Sequence, residues 1–93
     1  MIGHFRSKTL RQFWEEGRTR GLRPDWVGRV GRILDVLDQA DAATDLNLPG
    51  LGFHALTGDM KGRFAVTVSR NWRITFAFEG GMATDIDLED YHG

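Results

Sequence analysis

The spacing of apolar residues predicts an α+β domain in which a short N-terminal strand and a helical hairpin precede an antiparallel β-meander. Two observations carry this. Between Leu10 and Leu37 apolar residues recur with a period near 3.6, whereas from Phe53 to Leu88 they alternate. The breaks between the alternating runs are short and mostly glycine-bearing, so consecutive strands should pair as antiparallel neighbours. Helices first and a sheet after bury their apolar faces against each other in two layers. The chain has 93 residues, which is enough for one modest core and makes 1–93 a single domain.

Residues 2–6 alternate loosely and read as the first strand. Ser7 suits an N-cap, and Leu10, Phe13 and Trp14 fall on one helical stripe that ends near Gly17. Residues 17–23 form a basic connector. Pro24 fits the first turn of a second helix, whose apolar face holds Trp26, Val27, Val30, Ile33, Leu34 and Leu37. Gly28 and Gly31 each cost that helix about 1 kcal/mol relative to alanine. Close approach of the first helix is the expected compensation. Residues 41–52 contain Asn47, Pro49, Gly50 and Gly52 and read as a loop. Strands are then expected at 53–56, 63–69, 72–78 and 82–88.

Parity sorts the side chains of the last three strands. Phe64, Val66, Val68, Trp72, Ile74, Phe76, Phe78, Met82, Ile86 and Leu88 should face the helices. Arg63, Arg73, Asp85, Asp87 and, if the strand continues, Glu89 and Tyr91 should face away. Asp90 and His92 are out of phase and need a bend or bulge to join that face.

A net charge of −1 conceals an asymmetry. Residues 1–32 carry eight Lys/Arg against three acids, a balance of +5, and residues 33–60 carry five aspartates and no Lys/Arg. A basic helical half can lie along a polyanion or be a solvated surface paired with acids elsewhere. With no cysteine, disulfides and thiolate metal sites are excluded. His4, His54 and His92 lack metal-ligand spacing, so no metal or other cofactor is expected. The N-terminus has no signal-peptide apolar region and no run reaches a membrane span, so a cytoplasmic protein without membrane association is expected.

Arg73 is the odd member of an apolar strand. It either pairs across strands with Asp85 or Asp87 or offers its fork to a phosphate and the charge that builds on it in a transition state. The chain end places a carboxylate, a phenol and an imidazole in sequence, Asp90-Tyr91-His92. Imidazole is the side chain best placed to move protons near neutral pH. A frayed surface terminus is the plainer reading. Lys61 sits in a glycine-bounded turn, with Arg63 just beyond it.

The motifs Leu56-Thr57-Gly58-Asp59, Asn71-Trp72-Arg73-Ile74 and Asp90-Tyr91-His92, in this order of elements, resemble the HigB or plasmid maintenance killer toxins of the RelE/ParE superfamily. The likeness covers nearly the whole chain. It implies a toxin of a type II toxin–antitoxin system: a metal-independent mRNA interferase that cuts messenger RNA in the ribosomal A site, inhibits translation and is neutralised by a helix-turn-helix, HigA-like antitoxin. DNA would be met only through that antitoxin. Carried over by position, the active arginine is Arg73, and the C-terminal acid/base residues are Asp90, Tyr91 and His92. Where the family often has a lysine in the turn, this chain has Thr57; Lys61 or Arg63 would then supply the substrate-binding charge. The implied chemistry is attack of a ribose 2′-OH on the adjacent phosphate. Arg73 would stabilise the phosphorane, His92 donate the proton, Tyr91 assist or stack, and Asp90 fix the imidazole. The alternatives are a ParE-like DNA gyrase inhibitor and an inactive relative that acts with its antitoxin only as a co-repressor.

Overall fold

The computed structural model describes residues 1–91. Helix α1 (Lys8–Glu16) begins where its cap predicts, with the Ser7 hydroxyl accepting from the Leu10 amide at 3.1 Å. It ends at Gly17, whose φ of 71° is the left-handed closure that glycine permits. Pro24–Trp26 form a 3-10 turn that leads into helix α2 (Val27–Gln39). Val30, Ile33, Leu34 and Leu37 are the buried face of α2, as the 3.6 period predicts. The glycine expectation held only in part. Gly31 lies against the Phe13 ring of α1, but a Cβ there would sit 3.6 Å from it, an ordinary contact, and a Cβ on Gly28 would meet nothing within 4 Å. Both helices pack against the sheet.

The loop after α2 holds a 3-10 turn, Ala43–Leu46, that buries Ala43 and Leu46. Arg29 of α2 ties this region to the sheet, donating from Nε to the Thr67 carbonyl and from Nη2 to the Gly50 carbonyl, each at 2.7 Å. Strands β1 (His54–Ala55), β2 (Phe64–Thr67), β3 (Trp72–Glu79) and β4 (Met82–Asp90) follow in spatial order β1-β2-β3-β4, all antiparallel. The meander is the expected one, although β1 and β2 are shorter than the alternation suggests. Val68 and Ser69 already donate their amides to Trp72 O in the turn to β3. The N-terminal segment, read as a strand, instead makes two isolated parallel bridges to β4, Ile2 with Ala83 and Phe5 with Ile86.

Phe53, Phe64, Phe76 and Phe78 line the helix-facing side with ring centroids 5.7, 5.9 and 6.1 Å apart along the series. Parity fails at one place. Between Thr75 and Ala77 the β3–β4 register slips, so that Asp85 and Ile86 together oppose Phe76, and Asp85 takes a φ of 48°. Upstream of this bulge the faces of β4 are exchanged. Met82, expected in the core, is 37% exposed, and Ala83 is buried in its place.

Candidate active site

The face of the sheet turned away from the helices is set by register. Ala65, Thr75 and Asp87 form one row across β2, β3 and β4, and Thr67, Arg73 and Glu89 form the next. Arg73 lies half-buried in its row. Its Nη1 donates to the carbonyls of Ser69 at 2.8 Å, Trp72 at 3.1 Å and Arg70 at 3.3 Å, bracing the β2–β3 turn. Its guanidinium carbon stands 5.7 Å from the centre of the Tyr91 ring. The expectation that Arg73 and Tyr91 share a face is thus met, and Tyr91 is held there by its own amide bonding to the Asn71 carbonyl.

The cross-strand pairing of Arg73 with Asp85 or Asp87 is not what the register gives. The register partner of Arg73 is Glu89. Asp85 Oδ1 lies 3.1 Å from His4 Nδ1, and Asp87 Oδ1 accepts from the Leu88 amide. Glu89 in turn accepts from the Thr75 hydroxyl.

Of the two candidate substrate-binding cations, the structure brings one onto this face. Arg63 precedes β2, and its Nη2 reaches Thr75 Oγ1 at 2.8 Å and the Asp85 carbonyl at 2.9 Å. Lys61 is exposed at the end of the 3-10 turn Gly58–Met60, in the connection that enters β2 at Phe64, whereas Arg73 pairs with Thr67 at the other end of that strand. Asp90 pairs with Trp72 at the end of β4 and alternates to the opposite side from Arg73. The irregularity expected near Asp90 occurs instead at Asp85. His92 lies outside the described residues.

A histidine with no assigned role in the sequence reading also belongs to this face. His54 pairs with Ala65 and so extends the Ala65–Thr75–Asp87 row onto β1, with its Nδ1 3.1 Å from Gly52 O. Counting back from Ala65 would have revealed it, had the β1–β2 register been known. Among the described residues no group of three or more His, Asp or Glu could hold a metal ion.

An arginine stacked on a phenol, a second guanidinium preset by a buried hydroxyl, and an imidazole in the adjoining row form a surface that can grip a phosphate and move a proton. The sequence model for the RelE-like toxin of type II toxin–antitoxin system HigB matches residues 3–92. The chain belongs to this HigB-like toxin family. It is 39% identical to "Endoribonuclease HigB" of Proteus vulgaris over 92 residues, covering 99% of this chain and 100% of the relative. It is 33% identical to "Toxin HigB-1" of Vibrio cholerae over 93 residues, covering 98% of each. As a type II toxin of this family it has an antitoxin for a partner. No helix among the described residues is long and apolar enough to cross a membrane.

Proposed function

We propose that this HigB-like toxin is an endoribonuclease that cleaves messenger RNA held in the ribosomal A site, acts in the cytoplasm, and is neutralised by a helix-turn-helix antitoxin. The observation that carries this reading is the stacking of Arg73 on Tyr91 at the open sheet face, with Arg63 held in the next row. The relative named an endoribonuclease supports it along its full length.

In this reading a ribose 2′-OH attacks the adjacent phosphorus, the bond from phosphorus to O5′ breaks, and the products are a 2′,3′-cyclic phosphate and a 5′-OH. Arg73 stabilises the charge that develops on the phosphoryl oxygens, with Arg63 as the second cation. Lys61, at the hairpin tip, is left to contact RNA farther along the strand. His54, on the same face, takes the 2′-OH proton. His92 gives a proton to O5′, Asp90 orients that imidazole, and Tyr91 packs beneath Arg73 and offers its ring to a base. A site this open does little to orient free RNA; a ribosome that holds the message supplies that orientation.

The test is induction of wild type, Arg73→Ala and His92→Gln in cells, with mapping of messenger 5′ ends on ribosomes. New 5′-OH ends within the reading frame are expected from wild type and not from Arg73→Ala or His92→Gln. Unchanged cleavage by both variants would sink the site. Growth arrest by wild type without such ends, together with captured gyrase, would move the function to topoisomerase inhibition.

A further inference from the structure

Thr75 is the one fully buried polar residue among the described residues, and it lies in the row beside Arg73 on the open face. A threonine hydroxyl carries one proton and two lone pairs. Here the proton is committed to Glu89 Oε2, so the oxygen can only accept from Arg63 Nη2, 2.8 Å away. Glu89 therefore fixes the polarity of the Thr75 hydroxyl. The same Arg63 nitrogen also donates at 2.9 Å to the carbonyl of Asp85, the residue that the β4 bulge turns to a positive φ. Acceptors on two different strands thus hold the guanidinium of a side chain that starts outside the strand.

We propose that Thr75, polarised by Glu89, is a positioning residue that presets Arg63 against the phosphate of a single-stranded RNA bound beside Arg73. This rests on the nuclease reading above. An arginine free in solvent would have to give up its rotamer freedom when substrate binds. One already locked contributes its charge to the transition state without that reorganisation. The relay also explains why Arg63, and not the exposed Lys61, is the cation this face retains.

The experiment is a double-mutant cycle in single-turnover cleavage of a ribosome-bound message, with thermal melts on every variant. Thr75→Val keeps the shape and removes the hydroxyl. It should slow cleavage on the order of tenfold to a hundredfold, the size of a misplaced catalytic contact, whereas Thr75→Ser should cleave like wild type. Because Thr75 acts through Arg63, Thr75→Val combined with Arg63→Ala should be no slower than Arg63→Ala alone. Multiplied losses in the double variant, or wild-type cleavage by Thr75→Val, would overturn the proposal. If Thr75→Val does not fold, Glu89→Ala removes the polarising group from a half-buried position and must show the same non-additivity with Arg63→Ala. Failure of the underlying reading looks different: wild type then yields no cleavage at all, and no cycle can be built.

Discussion

Arg73 commits a single nitrogen, Nη1, to three backbone carbonyls of the β2–β3 turn while its guanidinium lies over the Tyr91 ring. A guanidinium can do both at once, because its charge is delocalised over the whole fork while a single nitrogen donates. Lysine has the charge without the fork. Arg73→Lys should therefore keep the fold, lose about 1 kcal/mol from the turn that Nη1 braces, and slow single-turnover cleavage by at least roughly tenfold. Urea melts and the cleavage rate check the two parts separately. A Lys variant as active as wild type would show that only charge matters at this position. That Arg73 and Tyr91 share a face was legible from alternation alone, since both are odd-numbered on strands with no slip between them at that end. Thr75 was not legible as a polar anchor. Its neighbours in sequence, Ile74 and Phe76, mark the core side, and nothing local reveals that Glu89 and Arg63 converge on it.

At the scale of elements, the bulge in β4 decides what the sequence could not. Alternation assigns Met82 inward and Ala83 outward, and the extra residue at Asp85 reverses both. Read along one strand, a slip of one residue is invisible; only the fixed register of the partner exposes it. The helices were easier, because the cap at Ser7, the closure at Gly17 and the face of α2 are all local signals. Asp85 tolerates its φ of 48° because short polar side chains can occupy that region, which β-branched residues avoid. Asp85→Val should cost about 1–2 kcal/mol, and Asp85→Gly should stay within about 1 kcal/mol of wild type. Denaturant midpoints would decide. The Arg63 contact is to the Asp85 backbone carbonyl, so Asp85→Gly should also retain cleavage. If Asp85→Val proves as stable as Asp85→Gly, the positive φ is not what the position selects for.

For the molecule as a whole, the net charge of −1 says little, because the charge is segregated along the chain. Of the eight basic residues of 1–32, Arg6 precedes α1 and the other seven lie on α1, the connector and the first part of α2; three of them, Lys8, Arg18 and Arg20, line one groove with Thr9, Gln12 and Gly21. Only part of this charge is neutralised nearby. Arg11, Arg18 and Arg23 meet Glu15, Glu16 and Asp25 at 3.6, 3.4 and 3.1 Å, and exposed pairs of this kind are worth little. An RNA backbone laid along the groove would exchange condensed counterions for these side chains. With three phosphates neutralised, the logarithm of affinity should fall against the logarithm of salt with a slope of roughly −2 to −3. Binding to ribosomes would then weaken by about 20- to 40-fold between 50 and 200 mM salt. Lys8→Glu combined with Arg20→Glu should flatten that slope by about two phosphate contacts. Because the groove is built from α1 and the connector, and the proposed cleavage site from the far face of the sheet, the same variant should leave the cleavage rate of already bound message unchanged. Titration of labelled toxin onto ribosomes at several salt concentrations measures the slope. An affinity indifferent to salt would place the docking contacts elsewhere on the fold, and a slower bound-state cleavage would mean that the groove and the active face are coupled.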